Sequence, residues 1–263
     1  MSEQPKPAFG PGSFMWWECW TRDLKKAKEF YAKVVGWSYE EVDMGPGGIY
    51  TLLKVGDKKV GGMAQMDGPE WGELPSHWAY YIDVEDVDSA HQRVRELGGK
   101  ALHDIIDAPG IGRFFPAQDP AGAHLYLMQP EKRAAEPPCA DAGSFLWVEL
   151  MSRDFAKAEK FYSELLGWNG VKMPMPGGEY TLFQVRGANA GGGMPMPAEV
   201  PAEAPSCWVG YIHVPNVDKA AETAQQLGAQ LLVPVMDIPN VGRFTQIMDP
   251  TGAVVALMTP APM

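Results

Sequence analysis

Apolar positions recur along this chain with two periods, one of strands and one of helices. Phe14–Trp20 is short and aromatic and reads as a strand. Asp23 follows as an N-cap, and Leu24, Ala27, Phe30, Tyr31, Val34 and Val35 recur at helical spacing, with Gly36 placed as a C-terminal cap. Trp37–Asp43, Ile49–Val55 and Lys59–Met66 are three further strands between glycine-rich turns. The pattern then restarts. Trp78–Val84 reads as a strand, and Val87, Ala90, Val94 and Leu97 mark a second helix ended by Gly98. Ala101–Ile106, Gly112–Gln118 and Ala123–Met128 complete the set, with Asp119-Pro120-Ala121-Gly122 as a hairpin turn. This is βαβββ twice over, an α+β pattern.

The whole pattern is then repeated. Ser13–Trp37 set against Ser144–Trp168 gives 12 identities in 25 positions without a gap. Further along, Gly48-Ile49-Tyr50-Thr51-Leu52 faces Gly178-Glu179-Tyr180-Thr181-Leu182, Asp107–Phe114 faces Asp237–Phe244, and Asp119–Ala123 faces Asp249–Ala253. In the second copy Asn216 caps a helix carrying Val217, Ala220, Ala224 and Leu227. Ordered matches over the full length mean a tandem duplication. The expected organisation is a flexible arm over 1–12, one domain over 13–129, a proline-rich linker over 130–143 and a second domain over 144–260.

Composition narrows the function classes. The net charge of −11 argues against nucleic acid, whose phosphates need a basic face. No apolar run approaches the roughly 18 residues that span a bilayer, and the N-terminus lacks the apolar core of a signal peptide. Cys19, Cys139 and Cys207 are odd in number and unclustered, which points to a reducing compartment and a cytoplasmic location. The expected partner is a small molecule, with the chain as a monomer or homodimer, and with neither nucleic acid nor membrane.

The motif R-D-x-x-K-A-x-x-F-Y-x-x-x-x-G-W after a first strand, a glycine-rich hairpin and a closing D-P-x-G-A resemble the vicinal oxygen chelate superfamily. That group includes glyoxalase I, bleomycin-resistance proteins and extradiol dioxygenases. Gly61–Met63, Gly192–Met194 and Asp237–Arg243 resemble in particular tandem glyoxalase-like proteins described as lactoylglutathione-lyase-related or as hydroxylases. The resemblance implies tandem glyoxalase-like domains, each of two βαβββ modules forming open, cupped sheets around a ligand cavity. In metal-dependent members a divalent ion in the cup polarises an oxygen-bearing substrate.

Carried onto this chain, the family's ligand positions fall on Trp16, about Ala79, Tyr126 and the strand around Gly61–Met63, and in the second copy on Trp147, about Val209, Ala256 and the strand around Gly192–Met194. None supplies the His and carboxylate set that such an ion needs, so no cofactor is expected. A shifted set is the alternative, because strand side chains alternate faces. Trp16 inward brings Glu18 inward, Ala79 brings His77 and Tyr81, and Tyr126 brings His124, so Glu18, His77 and His124 are the fallback ligands for one divalent ion and the candidate catalytic residues. The second copy has Glu149, Cys207, Val254 and Tyr211 at those places.

Trp16, Trp78, Tyr81, Tyr126, Trp147 and Tyr211 are aromatic strand residues that either fill the core or line a pocket. Glu18 and Glu149 interrupt apolar strands in both copies, either as an acid or base with a raised pKa or as a buried anchor, for example to the repeated arginine. Arg113 and Arg243 either pair with nearby Asp107 and Asp237 or capture an anionic ligand. Arg22-Asp23 and Arg153-Asp154 are expected to cap the helices they open. Two functions follow: metal-free binding or transformation of a small aromatic or amphiphilic molecule, or a metal-dependent lyase, isomerase or dioxygenase. A protein-binding scaffold is the third class. His77/Cys207, Asp83/His213 and His124/Val254 differ between the copies, so the two cups are expected to be unequal.

Overall fold

The computed structural model describes residues 10–45, 48–133, 141–175 and 178–262. Residues 1–9 of the expected arm and 134–140 of the expected linker, with Cys139, lie outside them. The first copy runs β1 (Phe14–Thr21), α1 (Leu24–Val34), β2 (Ser38–Asp43), β3 (Ile49–Val55), β4 (Lys58–Gln65), then β5 (His77–Asp83), α2 (Val87–Glu96), β6 (Lys100–Ala101), β7 (Ile106–Ala108), β8 (Gly112–Gln118) and β9 (His124–Pro130). The second runs β10 (Phe145–Ser152), α3 (Phe155–Leu166), β11 (Asn169–Met175), β12 (Gly178–Val185), β13 (Ala188–Pro195), then β14 (Cys207–His213), α4 (Val217–Gln226), β15 (Gln230–Ile238), β16 (Gly242–Met248) and β17 (Val254–Pro260). The fold is α+β, built from βαβββ modules.

One expected strand, Ala101–Ile106, is broken into β6 and β7. His103 and Asp104 interrupt it, and the His103 ring hydrogen-bonds the Asp104 carbonyl at 2.9 Å. The second copy has apolar Leu231, Leu232, Val233 and Val235 over the same stretch and keeps one continuous strand. Three of the four helices start at the expected caps, and Asp86 caps the remaining one. Asp23, Asp86, Asp154 and Asn216 each accept a hydrogen bond from the backbone N–H three residues on. Arg22 and Arg153 do not share that capping. Arg22 donates to the carbonyls of Gly72 and Leu74 at 2.7 and 2.9 Å, and Arg153 to that of Ala204 at 3.2 Å, so each fastens a loop. No helix among the described residues is long and apolar enough to cross a membrane.

The compact units cut across the repeat boundaries at 13–129 and 144–260. One unit gathers the described residues within Met1–Met15, Tyr80–Pro137 and Val148–Trp208; the other gathers those within Trp16–Ala79, Pro138–Trp147 and Val209–Met263. Each therefore joins the first module of one copy to the second module of the other.

In the first unit, β9 lies between β5 and β8, while the other ladder runs β11-β12-β13-β10. Its helices α2 and α3 pack together, and Arg93 donates to the Glu164 carbonyl at 3.3 Å. Beneath them Phe14, Tyr162, Trp168, Phe183 and Trp208 form one aromatic cluster, with Phe14 edge-on to Trp208 at 5.2 Å. The Trp168 indole donates to the Gly12 carbonyl at 2.7 Å. Trp208 donates to the Tyr162 hydroxyl at 2.9 Å, and that hydroxyl donates to Asp119 Oδ2 at 3.0 Å. Asp119 Oδ1 accepts from the N–H groups of Ala121 and Ala123 in its own turn.

The second unit repeats the scheme with the copies exchanged. Its ladders run β2-β3-β4-β1 and β14-β17-β16-β15, and α1 packs on α4. Phe145 stacks on Trp17 at 5.2 Å among Tyr31, Trp37 and Trp78, and Trp37 donates to the Gly143 carbonyl at 2.7 Å. Trp78 donates to the Tyr31 hydroxyl at 3.0 Å, which donates to Asp249 Oδ2 at 2.9 Å. Burial holds both tyrosines well above the ordinary phenol pKa, so each hydroxyl keeps its proton.

Tyr162→Phe leaves an indole donor without its acceptor and a buried carboxylate without its donor. It should cost about 2 kcal/mol, read as a lower urea midpoint. A change under about 0.5 kcal/mol, the range of ordinary surface substitutions, would show that the relay carries no stability.

Candidate functional site

In β1 the side chains divide between two faces. Trp17, Cys19 and Thr21 are packed inward, with Cys19 and Thr21 wholly buried. Trp16, Glu18 and Trp20 take the other face by the alternation of a strand. Glu18 pairs in parallel register with Gly62 of β4, and Gly62 faces Leu52 of β3 across the antiparallel ladder. Tyr50, two residues before Leu52, lays its ring over the glycine. A Cβ on Gly62 would collide with the Tyr50 hydroxyl. That hydroxyl accepts from the Trp16 indole at 2.9 Å and donates to the Glu18 carboxylate.

The arrangement is a preorganised hydrogen-bonding group over a bare patch of backbone. Glu18 is 5% exposed, so its carboxylate sits in low dielectric and depends on such donors. Burial first, then the charge of Glu18, holds the Tyr50 pKa well above that of a free phenol. Tyr50 is therefore a neutral hydroxyl at physiological pH. The first unit carries the counterpart: Glu149, 7% exposed, pairs with Gly192, and a Cβ on Gly192 would strike the Tyr180 hydroxyl. Because Gly192 is the counterpart of Gly62, the structural register pairs Gly61–Met63 with residues 191–193, one position before the repeated Gly-Gly-Met motif.

Two aromatic groups stand on the other ladders. In the first unit Tyr81 stacks on Tyr126 at 4.5 Å and meets Phe114 edge-on at 5.7 Å. In the second unit Tyr211 lies 5.9 Å from Phe244, and its ladder partner is Ala256, where the first copy has Tyr126. The two copies thus differ in aromatic content at this place.

Other expected site residues go elsewhere. Trp78 is 6% exposed, with its indole on Tyr31, and belongs to the core. His77 is half-buried, its Nδ1 2.9 Å from the Pro75 carbonyl, and burial lowers its pKa. His124 is exposed beside the hairpin turn, with Nε2 3.2 Å from Gln118 Nε2. The fallback set of Glu18, His77 and His124 does not assemble: among the described residues no group of three or more His, Cys, Asp or Glu side chains is placed to hold a metal ion. The arginines do not reach the buried glutamates. Arg113 pairs with Asp88 at 3.0 Å rather than with Asp107, and Arg243 pairs with both Asp218 and Asp237 at 2.9 Å. Cys207 is half-buried, and its thiol is pushed up to about 11 by burial and the nearby charge of Glu149.

Of the family's metal positions in the first copy, Tyr126 offers a phenol in place of a carboxylate and the other three offer no ligand. The Trp16 indole nitrogen keeps its proton and donates it to Tyr50, Ala79 offers no donor, and Gly62 has no side chain. These residues do not fit a divalent ion. Sequence reasoning missed Tyr50 and Tyr180, although both stand in the repeated Gly-x-Tyr-Thr-Leu segment.

Residues 15–126 match the Glyoxalase/Bleomycin resistance protein/Dioxygenase superfamily, and residues 144–185 match the Bleomycin resistance protein-like N-terminal family. A Mycobacterium bovis protein named "Putative glyoxylase CFP32" is 31% identical over 255 residues, covering 95% of this chain and 96% of that protein. The chain belongs to the glyoxalase/bleomycin resistance protein/dioxygenase superfamily. The anthracycline biosynthesis protein DnrV of Streptomyces peucetius is 26% identical over 257 residues, covering 93% of this chain and 92% of that one. Among solved structures of the superfamily, the 2,3-dioxygenase LapB from Pseudomonas sp. KL28 superposes with a TM-score of 0.64 at 12% identity, covering 97% and 94% of the two chains. The Mn(II)-bound glyoxalase from Novosphingobium aromaticivorans gives 0.61 at 17% identity, covering 96% and 83%. At these identities the likeness is one of fold.

Two measurements test the site. Gly62→Ala should destabilise the protein by about 1–3 kcal/mol through displacement of Tyr50. Gly178→Ala, whose Cβ would meet nothing within 4 Å, should stay within about 0.5 kcal/mol. Equal effects of the two would refute the packing of Tyr50 on Gly62. Alkylation of Cys207 by iodoacetamide should accelerate towards a pH of about 11, because the reactive thiolate forms only there. A rate that levels off above pH of about 8.5, the free-thiol value, would show an unperturbed cysteine.

Proposed function

We propose that this chain binds a small aromatic or amphiphilic molecule bearing a hydroxyl group, and that it does so without a divalent ion. The observation that carries this reading is the Tyr50 hydroxyl, held between the Trp16 indole and the Glu18 carboxylate over Gly62. The tyrosine–glycine packing and the buried glutamate recur at Tyr180, Gly192 and Glu149. A ligand hydroxyl donates to the Glu18 carboxylate, which the Tyr50 hydroxyl holds in place. Aromatic side chains nearby supply flat apolar surface. In superfamily members that use an ion, the metal gathers the substrate oxygen; here the tyrosine and the carboxylate take that positioning role.

The relative named for anthracycline biosynthesis supports a hydroxylated aromatic ligand. The free thiols of Cys19 and Cys207 support a cytoplasmic setting. A buried carboxylate beside a neutral phenol can also move a proton to or from a bound oxygen, so weak catalysis on such a ligand is compatible with the same site.

The test is calorimetric titration of the EDTA-dialysed protein with 1-naphthol, alongside the Tyr50→Phe/Tyr180→Phe double variant. Binding should persist without metal, and the variant should bind about tenfold more weakly, the worth of one hydrogen bond. Absence of binding by the wild type, or binding restored only by a stoichiometric divalent ion, would overturn the reading.

A further inference from the structure

The two tyrosine–glutamate sites sit on faces of different character. In the second unit, Tyr39 and Glu41 of β2 turn towards α1, where they meet the Lys28 carbonyl at 2.6 Å and the Lys28 ammonium at 2.8 Å. Ser38, Glu40 and Val42 therefore take the opposite face, the one that carries Tyr50 and Leu52 through the register Val42↔Tyr50 and Glu40↔Leu52. Glu40 holds Lys54 at 3.2 Å and Lys59 at 3.6 Å on that face. The site around Tyr50 is rimmed by three charges.

The first unit has the same geometry with different chemistry. Lys172 of β11 turns towards α3, reaching Glu159 at 2.7 Å, and a Cβ on Gly170 would also strike Glu159. Val171, Met173 and Met175 thus take the opposite face, with Met173 facing Tyr180 and Val171 facing Leu182. They are 36%, 45% and 38% exposed. Val171 stands where the other face has Glu40. Gln184 and Asn189, joined at 2.9 Å, stand where it has Lys54 and Lys59. All three charges are replaced by neutral groups.

We infer that the Tyr180–Glu149 site is the one specific for an uncharged, multi-ring apolar ligand, with Val171 and Met173 as its specificity-determining floor, since Met175 has an exposed methionine counterpart in Met44. The inference rests on the binding function proposed above and assigns it to one copy. Exposed methionines offer soft, polarizable surface that adapts to flat rings, and their exposure costs free energy that a ligand relieves. The Glu40–Lys54–Lys59 rim does the reverse, since an apolar ring laid there strips water from charges without replacing it. Selection against apolar rings at one site and for them at the other needs both features.

Two sets of exchanges test this with 1-naphthol as the probe. Val171→Glu/Gln184→Lys/Asn189→Lys transplants the ionic rim and should weaken binding about tenfold or more, the scale of desolvating a charge. Glu40→Val/Lys54→Gln/Lys59→Asn should raise the stoichiometry from one naphthol per chain to two. Met173→Gln, an exposed change of similar size, serves where the triple variant misfolds by circular dichroism, and should weaken binding about threefold, the order of a partial loss of apolar contact. Unaltered affinity in the first triple variant or in Met173→Gln, or two equal sites in the wild type, would overturn the assignment. Failure of the wild type to bind at all would instead sink the binding function beneath it.

Discussion

A tyrosine hydroxyl from one copy of the duplication closes on a buried aspartate from the other, and this happens once in each compact unit. Tyr162 reaches Asp119 and Tyr31 reaches Asp249, each hydroxyl also accepting from a tryptophan indole. The aspartate is already committed to its own hairpin turn through two backbone N–H groups, so the tyrosine satisfies the remaining oxygen. A buried carboxylate left half-satisfied is expensive, and burial already raises the Asp119 pKa. The relay therefore couples helix, strand and turn in one all-or-none polar network. It is also the reason neither copy is a unit by itself: its helix tyrosine finds its acceptor only in the other copy.

That constraint explains which residues both copies keep. Phe-Tyr in the helix, the tryptophan after its capping glycine and the aspartate of the hairpin turn are the members of the relay and of the cluster around it, and all are repeated. Phe14 and Phe145 are repeated too, because each fills the aromatic cluster of the unit formed with the other copy. The faces turned away from the helices carry no such obligation. There Tyr126 is matched by Ala256, and Glu40 by Val171. Duplication with exchanged modules secures the scaffold and frees the open faces to diverge.

The sequence pattern revealed the elements, the capping residues and the tandem fold, because strand and helix periods and Asp-Pro-x-Gly turns are local signals. The joining of modules across copies was not legible, since Tyr31 and Asp249 lie 218 residues apart and nothing local marks them as partners. The site was half legible. Glu18 and Glu149 stood out as carboxylates in apolar strands, but the expected arginine partners are spent on helix aspartates. Their true context is a tyrosine on a neighbouring strand and a glycine that leaves room for it, and a glycine advertises nothing about what lies above it. Trp78 shows how an open choice was decided. Aromatic character alone suggested a ligand contact, whereas alternation from Ala79 already placed it on the core face, where it donates to Tyr31.

The Trp16–Tyr50–Glu18 group and the Trp78–Tyr31–Asp249 group share one chemical order, indole to phenol to carboxylate, in the same unit. Their difference is what stands around the carboxylate. Asp249 spends its second oxygen on turn N–H groups and is sealed in structure. Glu18 instead lies beside Gly62, whose missing side chain makes space on the sheet for the Tyr50 ring. A phenol with its proton held firmly is a poor nucleophile and a good fixed dipole, so the group is built to orient an oxygen atom rather than to attack one. Around it the two copies differ in charge, Glu40, Lys54 and Lys59 in one standing where Val171, Gln184 and Asn189 stand in the other, and the proposed binding function rests its selectivity on that difference.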